Sequence, residues 1–354
     1  MAVNETAGEK LPCIKDFTED QLKAQLKNWS EPAFRSEQIF SWLYQHGLTD
    51  FSGMKNLPVH LREKLSHCYR LSTLQILATR KSKDGTEKYV FRLDDGNLIE
   101  TVLIPARKRQ TVCVSTQVGC RYRCSFCASG QNGWKRNLTA GEIIDQILYV
   151  RFVRNVPVSN VVFMGMGEPF DNLENTITAI LNINNPHGLN IGSRRITVST
   201  AGHIPGIEKF SQLHWQVELS VSLHGVDDSI RSKLMPINRI YPLAKLLGVC
   251  RSYVKRTGRL ITFEYVLIKG VNDDIQQARE LARITKSVGA KINLIPCSAI
   301  PGEKYQPPEK GTRERFLQEL EKSRVCFTLR RSRGKDIQAA CGQLAGKYVS
   351  GNNL

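Results

Sequence analysis

Apolar residues recur at three- and four-residue spacing in three early stretches: TEDQLKAQLKNW (18–29), FRSEQIFSWLYQHG (34–47) and LPVHLREKLSHCY (57–69). That period predicts three helices, each with one buried face. Gly47 is the expected stop of the second. Beyond Leu71 the period shortens to two. The stretch ATRKSKDGTEKYVFRLDDGNLIETVLIP (78–105) predicts strands that turn at Asp84-Gly85 and Asp95-Gly96, because Asp-Gly pairs supply the positive φ of tight hairpins. Farther on, strand-like runs alternate with helical ones: TVCVST (111–116), LTAGEIIDQILYVRFV (138–153), NVVFMG (160–165), RRITVST (194–200), VELSVSLHG (217–225), YPLAKLLGVCRSYV (241–254), ITFEYVLI (261–268) and INLIPC (292–297). Thr139 and Glu142 form the expected capping box of the first long helix in this region.

Such alternation predicts an α/β fold of repeated βα units around a mostly parallel sheet, closed or partly closed into a barrel. The expected organisation is a helical N-terminal accessory domain over 1–75, a β-rich connecting segment over 76–105, a barrel over 106–336 and a C-terminal segment over 337–354. Functional groups of a βα barrel gather at the C-terminal ends of its strands. Four loops therefore matter: GCRYRCSFCASG, GMGEP, STAG and SLHG.

Composition adds a partner. The 354 residues carry 50 Lys and Arg against 33 Asp and Glu, a formal charge of +17, which favours a polyanion through phosphate neutralisation and counterion release. The N-terminus MAVNETAGEKLPC has no basic stretch followed by an apolar core, and no apolar run reaches the length of a membrane span. A cytoplasmic protein with no membrane association is expected. Ten cysteines in a chain of this length are too sparse for a disulfide scaffold, so those that cluster point to metal or redox chemistry. Cys113, Cys120, Cys124 and Cys127 do cluster.

Cys120-x-x-x-Cys124-x-x-Cys127 follows the first barrel strand. Three thiolates leave one iron of a 4Fe-4S cubane without a protein ligand. S-adenosylmethionine can chelate that iron, and the reduced cluster can split its sulfonium to give a 5'-deoxyadenosyl radical. Phe126 is placed to pack against the adenine of that cofactor. The alternative is zinc with Cys113 as a fourth ligand, but structural zinc sites usually use two ligand pairs separated by a longer stretch.

The segments VCVSTQVGCRYRCSFCASG, GMGEP, SLH, LMPIN, GVND, INLIP and DIQAACGQLAG, in this order, closely resemble the RlmN/Cfr family of radical S-adenosylmethionine RNA adenine methyltransferases over essentially the whole chain. The resemblance makes the expected barrel a partial (β/α)6 radical-SAM barrel. It implies that Cys120, Cys124 and Cys127 hold the cluster, and that Cys341 in ACGQ is methylated by one S-adenosylmethionine and activated by the radical from a second. It further implies that Cys113 resolves the protein-RNA adduct through a transient disulfide with Cys341, and that Glu100 takes the ring proton. The detour through a cysteine suits the substrate, since an sp2 adenine carbon does not attack a cationic methyl donor.

By the same resemblance, Gly167 and Glu168 contact the cofactor's methionine amino group, and Ser199, Ser222, Leu223 and His224 are further cofactor contacts. Where many relatives have asparagine after INLIP, this chain has Cys297-Ser298, so Ser298 is the expected stand-in with a shorter reach. For RNA, Arg35, Gln38, Trp42 and Tyr44 offer stacking and basic groups. Arg107, Lys108 and Arg109, with Arg330, Arg331, Arg333 and Lys335, flank the two reactive thiols as an expected phosphate track. The implied substrates are 23S rRNA and the adenosine 3' of the tRNA anticodon, methylated at carbon 2. A monomer reduced by a donor such as flavodoxin is expected. The closest rival is carbon-8 methylation, toward which SKLMPIN and CASG lean, and a distant one is a non-catalytic, zinc-stabilised RNA-binding protein.

Overall fold

The computed structural model describes residues 11–71, 74–131, 133–298, 305–330 and 332–345. Its strands are β1 (Leu74–Lys81), β2 (Glu87–Leu93), β3 (Leu98–Ala106), β4 (Arg109–Cys113), β5 (Gln117–Gly119), β6 (Trp134–Asn137), β7 (Asn160–Phe163), β8 (Ile196–Thr200), β9 (Glu218–Ser222), β10 (Ile261–Leu267), β11 (Ala290–Pro296) and β12 (Phe327–Leu329). Its helices are α1 (Glu19–Asn28), α2 (Arg35–Gln45), α3 (Val59–Cys68), α4 (Ala128–Gln131), α5 (Ala140–Leu148), α6 (Leu173–Asn184), α7 (Ile204–Phe210), α8 (Asp228–Leu234), α9 (Leu243–Thr257), α10 (Ile275–Val288) and α11 (Lys310–Lys322).

Two compact units emerge, and they interleave along the chain where four consecutive segments were expected. One combines residues 1–74 with 139–155 and 174–191, so α5 and α6 belong with the N-terminal helices. Its second helix stops where Gly47 turns at φ 61°, a position where a Cβ would strike the Phe152 ring at 2.8 Å. Thr18 and Gln21 cap α1 reciprocally, and Thr139 and Glu142 cap α5 in the expected box. Buried inside this unit are the Lys15–Asp145 ion pair and Tyr44, whose hydroxyl accepts from Asn182 Nδ2 at 3.1 Å. Tyr44 is thus a core residue, which corrects its expected place in RNA stacking. Arg35 Nη1 is committed to Gln38 Oε1 at 2.7 Å, and Trp42 Nε1 to Asn56 Oδ1 at 2.6 Å.

The other unit holds a ten-stranded sheet in the order β1-β2-β3-β4-β7-β8-β9-β10-β11-β12. From β4 onward every pairing is parallel, giving the six strands of the expected partial barrel plus β12. In the β-rich connecting segment before it, β3 pairs antiparallel with both β2 and β4 and extends the same sheet. Gly85 and Gly96 take positive φ at the two expected turns. A small antiparallel pair, β5 with β6, brackets the cysteine loop and was not anticipated from the sequence. Its strands are only three and four residues long, too short for periodicity to register.

Register decides which side chains share a face. β10 is buried along its whole length, as a central parallel strand should be. Across the pairings, Lys88 stands opposite Val102, Val102 opposite Cys113 and Cys113 opposite Val162. Farther on, Ser199 faces Ser220, Ser222 faces Glu264, and Val266 faces Ile295. Because neighbours in register point the same way and alternate residues agree, one face of the sheet carries Lys88, Glu100, Cys113, Ser199, Ser222 and Glu264.

Candidate active site

That face opens on a cavity that is partly open to solvent. Cys120, Cys124 and Cys127 line it together with Gly167, Glu168, Ser199, Ser222, His224, Ser298 and Cys341. Leu223 does not; it is fully buried, its amide donating to Glu264 O at 3.0 Å. Strand ends supply most of this lining, as a βα barrel requires.

The cysteine loop is tightly held. Gly130 lies so close beneath it that a Cβ there would meet Arg123 Cα at 2.8 Å and Cys124 N at 3.1 Å. Tyr122 turns inward, its hydroxyl donating to Asp171 Oδ1 at 2.8 Å. Burial pushes the Cys120 thiol up to about 12 and those of Cys124 and Cys127 upward, and Cys120 and Cys124 each feel the Cys127 sulfur as a like charge. Thiols that disfavour joint ionisation in this way need a cationic centre to become ligands. The three thiols line one cavity, a donor set that suits a cubane with one iron left open to a further ligand.

Glu168 is buried and welded into the cavity wall. Its carboxylate accepts from Ala201 N at 2.7 Å and Phe170 N at 3.1 Å, and its amide donates to Gln117 Oε1 at 2.8 Å. Desolvation nevertheless raises its pKa to about 7, leaving it poised to take charge beside an ammonium group. Gly167 adopts φ 98°, and a Cβ there would strike the Gln117 side chain at 2.5 Å, so only glycine serves. His224, at φ 54°, accepts at Nδ1 from Val266 N at 3.1 Å. Burial and then Arg231 push its pKa down to about 3. It is a neutral ring with its proton on Nε2, edge-on to Phe126 at 4.9 Å.

A second, smaller cavity is lined by Cys113 and Cys341 with Val102, Val162, Met164 and Arg330. Cys341, an exposed thiol, lines both cavities. Cys113 is buried, its thiol pushed up to about 12 by desolvation and by the nearby Cys341. All ten cysteines are free thiols. Glu100 lines neither cavity: it is 1% exposed and ion-paired with Lys88 at 3.4 Å, one strand step beyond Val102. Lys88 Nζ also donates to Gln338 O at 3.1 Å, tying the segment that carries Cys341 to the strands. The basic stretches meet, since Arg333 Nη1 donates to Pro105 O beside the Arg107–Arg109 turn. Arg331 lies outside the described residues.

Sequence reasoning missed Glu264 as a site residue. Its Oε1 accepts from Asn293 at 3.1 Å, its other oxygen lies 3.9 Å from Arg330 Nη1, and it lines the large cavity. One carboxylate inside the apolar run ITFEYVLI was the available signal.

Comparison with known proteins gives this arrangement its context. Residues 114–282 match the radical SAM superfamily model, and residues 14–71 match the ribosomal RNA large subunit methyltransferase N-terminal domain. The chain is 46% identical to the Geobacillus kaustophilus protein named "Probable dual-specificity RNA methyltransferase RlmN", across 95% of this chain and 93% of that one. It is 41% identical to the "Dual-specificity RNA methyltransferase RlmN" of a Nitratiruptor species, across 94% and 98%. The crystal structure of a radical SAM methyltransferase from Sphaerobacter thermophilus superposes with a TM-score of 0.89 at 44% identity, covering 95% of this chain and all of that one. Among the described residues no helix is long and apolar enough to cross a membrane. A 4Fe-4S cluster and S-adenosylmethionine are the cofactors of this superfamily, and the chain belongs to the RlmN family of radical SAM enzymes that methylate RNA.

Proposed function

We propose that this enzyme methylates carbon 2 of an adenosine in 23S rRNA and of the adenosine 3' of the anticodon in tRNA, through a methyl group carried on Cys341. The observation that carries the reading is the position of Cys341 between the two cavities, one lined by the cysteine triad and the other by Cys113. When bound to Cys120, Cys124 and Cys127, the cluster with S-adenosylmethionine supplies a carbon-centred radical, and S-adenosylmethionine also supplies the methyl group. Glu168 with the Gly167 turn receives the cofactor's ammonium group, and Ser199, Ser222 and Ser298 offer hydroxyls along the same wall. Neutral His224 offers Nε2–H.

Cys341 holds the methyl sulfur at the mouth of both cavities. Once the methyl carbon is bonded to the adenine carbon and the ring proton has left, the Cys113 thiol attacks the Cys341 sulfur from the smaller cavity; the sulfur–carbon bond breaks, the thiol proton completes the methyl group on the departing base, the adduct's odd electron would return to the cluster, and a Cys113–Cys341 disulfide is left for thiol exchange. Glu100, on the same sheet face as Cys113 and ion-paired with Lys88 at 3.4 Å, is the acceptor assigned to the ring proton in this reading. The helical segment before residue 75 serves as an RNA-binding accessory. Nucleoside mass spectrometry of 23S rRNA and tRNA, each treated separately with the reduced enzyme, tests the assignment. 2-Methyladenosine is expected in both; 8-methyladenosine alone would overturn it.

A further inference from the structure

The cluster loop has an outer face as well as an inner one. Between Cys120 and Cys124, Tyr122 points into the cavity, while Arg121 and Arg123 are exposed. The Arg121 guanidinium lies 3.6 Å from the centroid of Trp134, which is itself 36% exposed. Trp134 stands opposite Gly119 across the β5–β6 pair, so no cross-strand side chain covers its ring. Gly119 cannot be replaced to cover it, since a Cβ there would fall 1.7 Å from Gly133 O. The hairpin is fastened to the metal loop by Cys120 N–H donating to Gly133 O at 3.0 Å. Lys135 bonds only to the amide oxygen of Asn97, and among the described residues no carboxylate pairs with Arg121, Arg123 or Lys135.

An exposed indole topped by a guanidinium and ringed by uncompensated cations is the chemistry that grips unpaired nucleotides, by stacking on the base and neutralising its phosphate. We propose that Arg121 and Trp134 form a stacking platform for an unpaired RNA base flanking the target adenosine, with Arg123 and Lys135 on the adjoining phosphates. The inference rests on the enzyme's action on RNA and not on which carbon it methylates. A protein reductant with an acidic face would be drawn by the cations but has no need of the indole, so RNA is the favoured occupant.

The test uses the cluster-loaded enzyme and a fluorescent anticodon stem-loop RNA. Trp134→Ala should weaken RNA binding about 5- to 100-fold, the range of one lost base stack, with iron content and cluster absorbance unchanged. Trp134→Phe should retain most of the affinity. Arg121→Gln should lower the slope of log affinity against log salt by about 0.7, one phosphate contact on a single strand. Unchanged RNA affinity in both Trp134→Ala and Arg121→Gln would overturn the proposal while leaving the methylation reading intact. Slower turnover with a protein reductant, but not with dithionite, at unchanged RNA affinity would equally overturn it and reassign the face to the electron donor.

Discussion

The two candidate reactive regions of the sheet-bearing unit are built in opposite ways. The triad Cys120, Cys124 and Cys127 comes from one short loop, closed locally by Gly130 and the β5–β6 pair. The thiol pair Cys113 and Cys341 comes from a strand end and from the far end of the chain, brought together by hydrogen bonds that the C-terminal segment makes elsewhere. Asp336 accepts from Ser82 Oγ at 2.6 Å, and Gly334 N donates to Asp84 at 2.9 Å. Gly342 O accepts from Ala128 N at 2.7 Å, directly after Cys127. A local site survives as a motif. A distributed one depends on how the whole sheet is registered.

That contrast can be broken most drastically at the thiols. Cys124→Ala should abolish cluster assembly, read as loss of iron and of visible absorbance, and with it all cleavage of S-adenosylmethionine. Cys341→Ala should keep the cluster and lose methyl transfer by at least about 1000-fold, the scale of removing a covalent carrier; residual methylation at the normal rate would refute the carrier role. Cys113→Ala should instead accumulate a protein-RNA adduct, visible as a shifted band on a denaturing gel.

The next effect is on folding. Lys88→Met strands the buried Glu100 carboxylate and should cost about 3 to 5 kcal/mol, measured by denaturant unfolding, with much of the loss recovered in Lys88→Met/Glu100→Gln. A smaller effect comes from His224. Its folded pKa lies below its unfolded value, so the folded state refuses a proton that the unfolded chain accepts. Stability present above about pH 6.5 is lost as pH falls toward 3, by about 2 kcal/mol at pH 5. His224→Asn, which tolerates the left-handed backbone, should flatten that acid dependence. Smallest of all, Ser129→Ala removes the hydroxyl that donates to Leu344 O at 2.6 Å, and should cost about 1 kcal/mol while loosening Cys341 relative to the triad. Equal methyl transfer in that variant would mean the segment is held well enough without it.

The early helices, the two Asp-Gly turns, the capping box at Thr139 and the βα alternation were all legible, because each is dictated by neighbours a few residues apart. The same holds for the cysteine triad. Glu264 escaped notice because a strand's periodicity does not say which charged residue faces a cavity. Tyr44 was misread because an amphipathic helix shows one apolar face but not how much of its margin a second helix will cover. That the β-rich connecting segment extends the main sheet was not legible, because antiparallel strands have the same local pattern whether they stand alone or extend a sheet.

By itself, the sequence determined the fold class, the candidate cluster cysteines and the order of motifs that marks the family, since short-range spacing encodes all three. Tertiary structure alone decided that Lys88, Glu100, Cys113 and Glu264 share one face, that Cys341 opens on both cavities, and that Arg121 rests on an exposed Trp134. The physical reason is register. A one-residue slip in any strand pairing would turn every one of its side chains to the other face, and for the parallel pairings, whose partners are far apart in sequence, no tight turn fixes that choice.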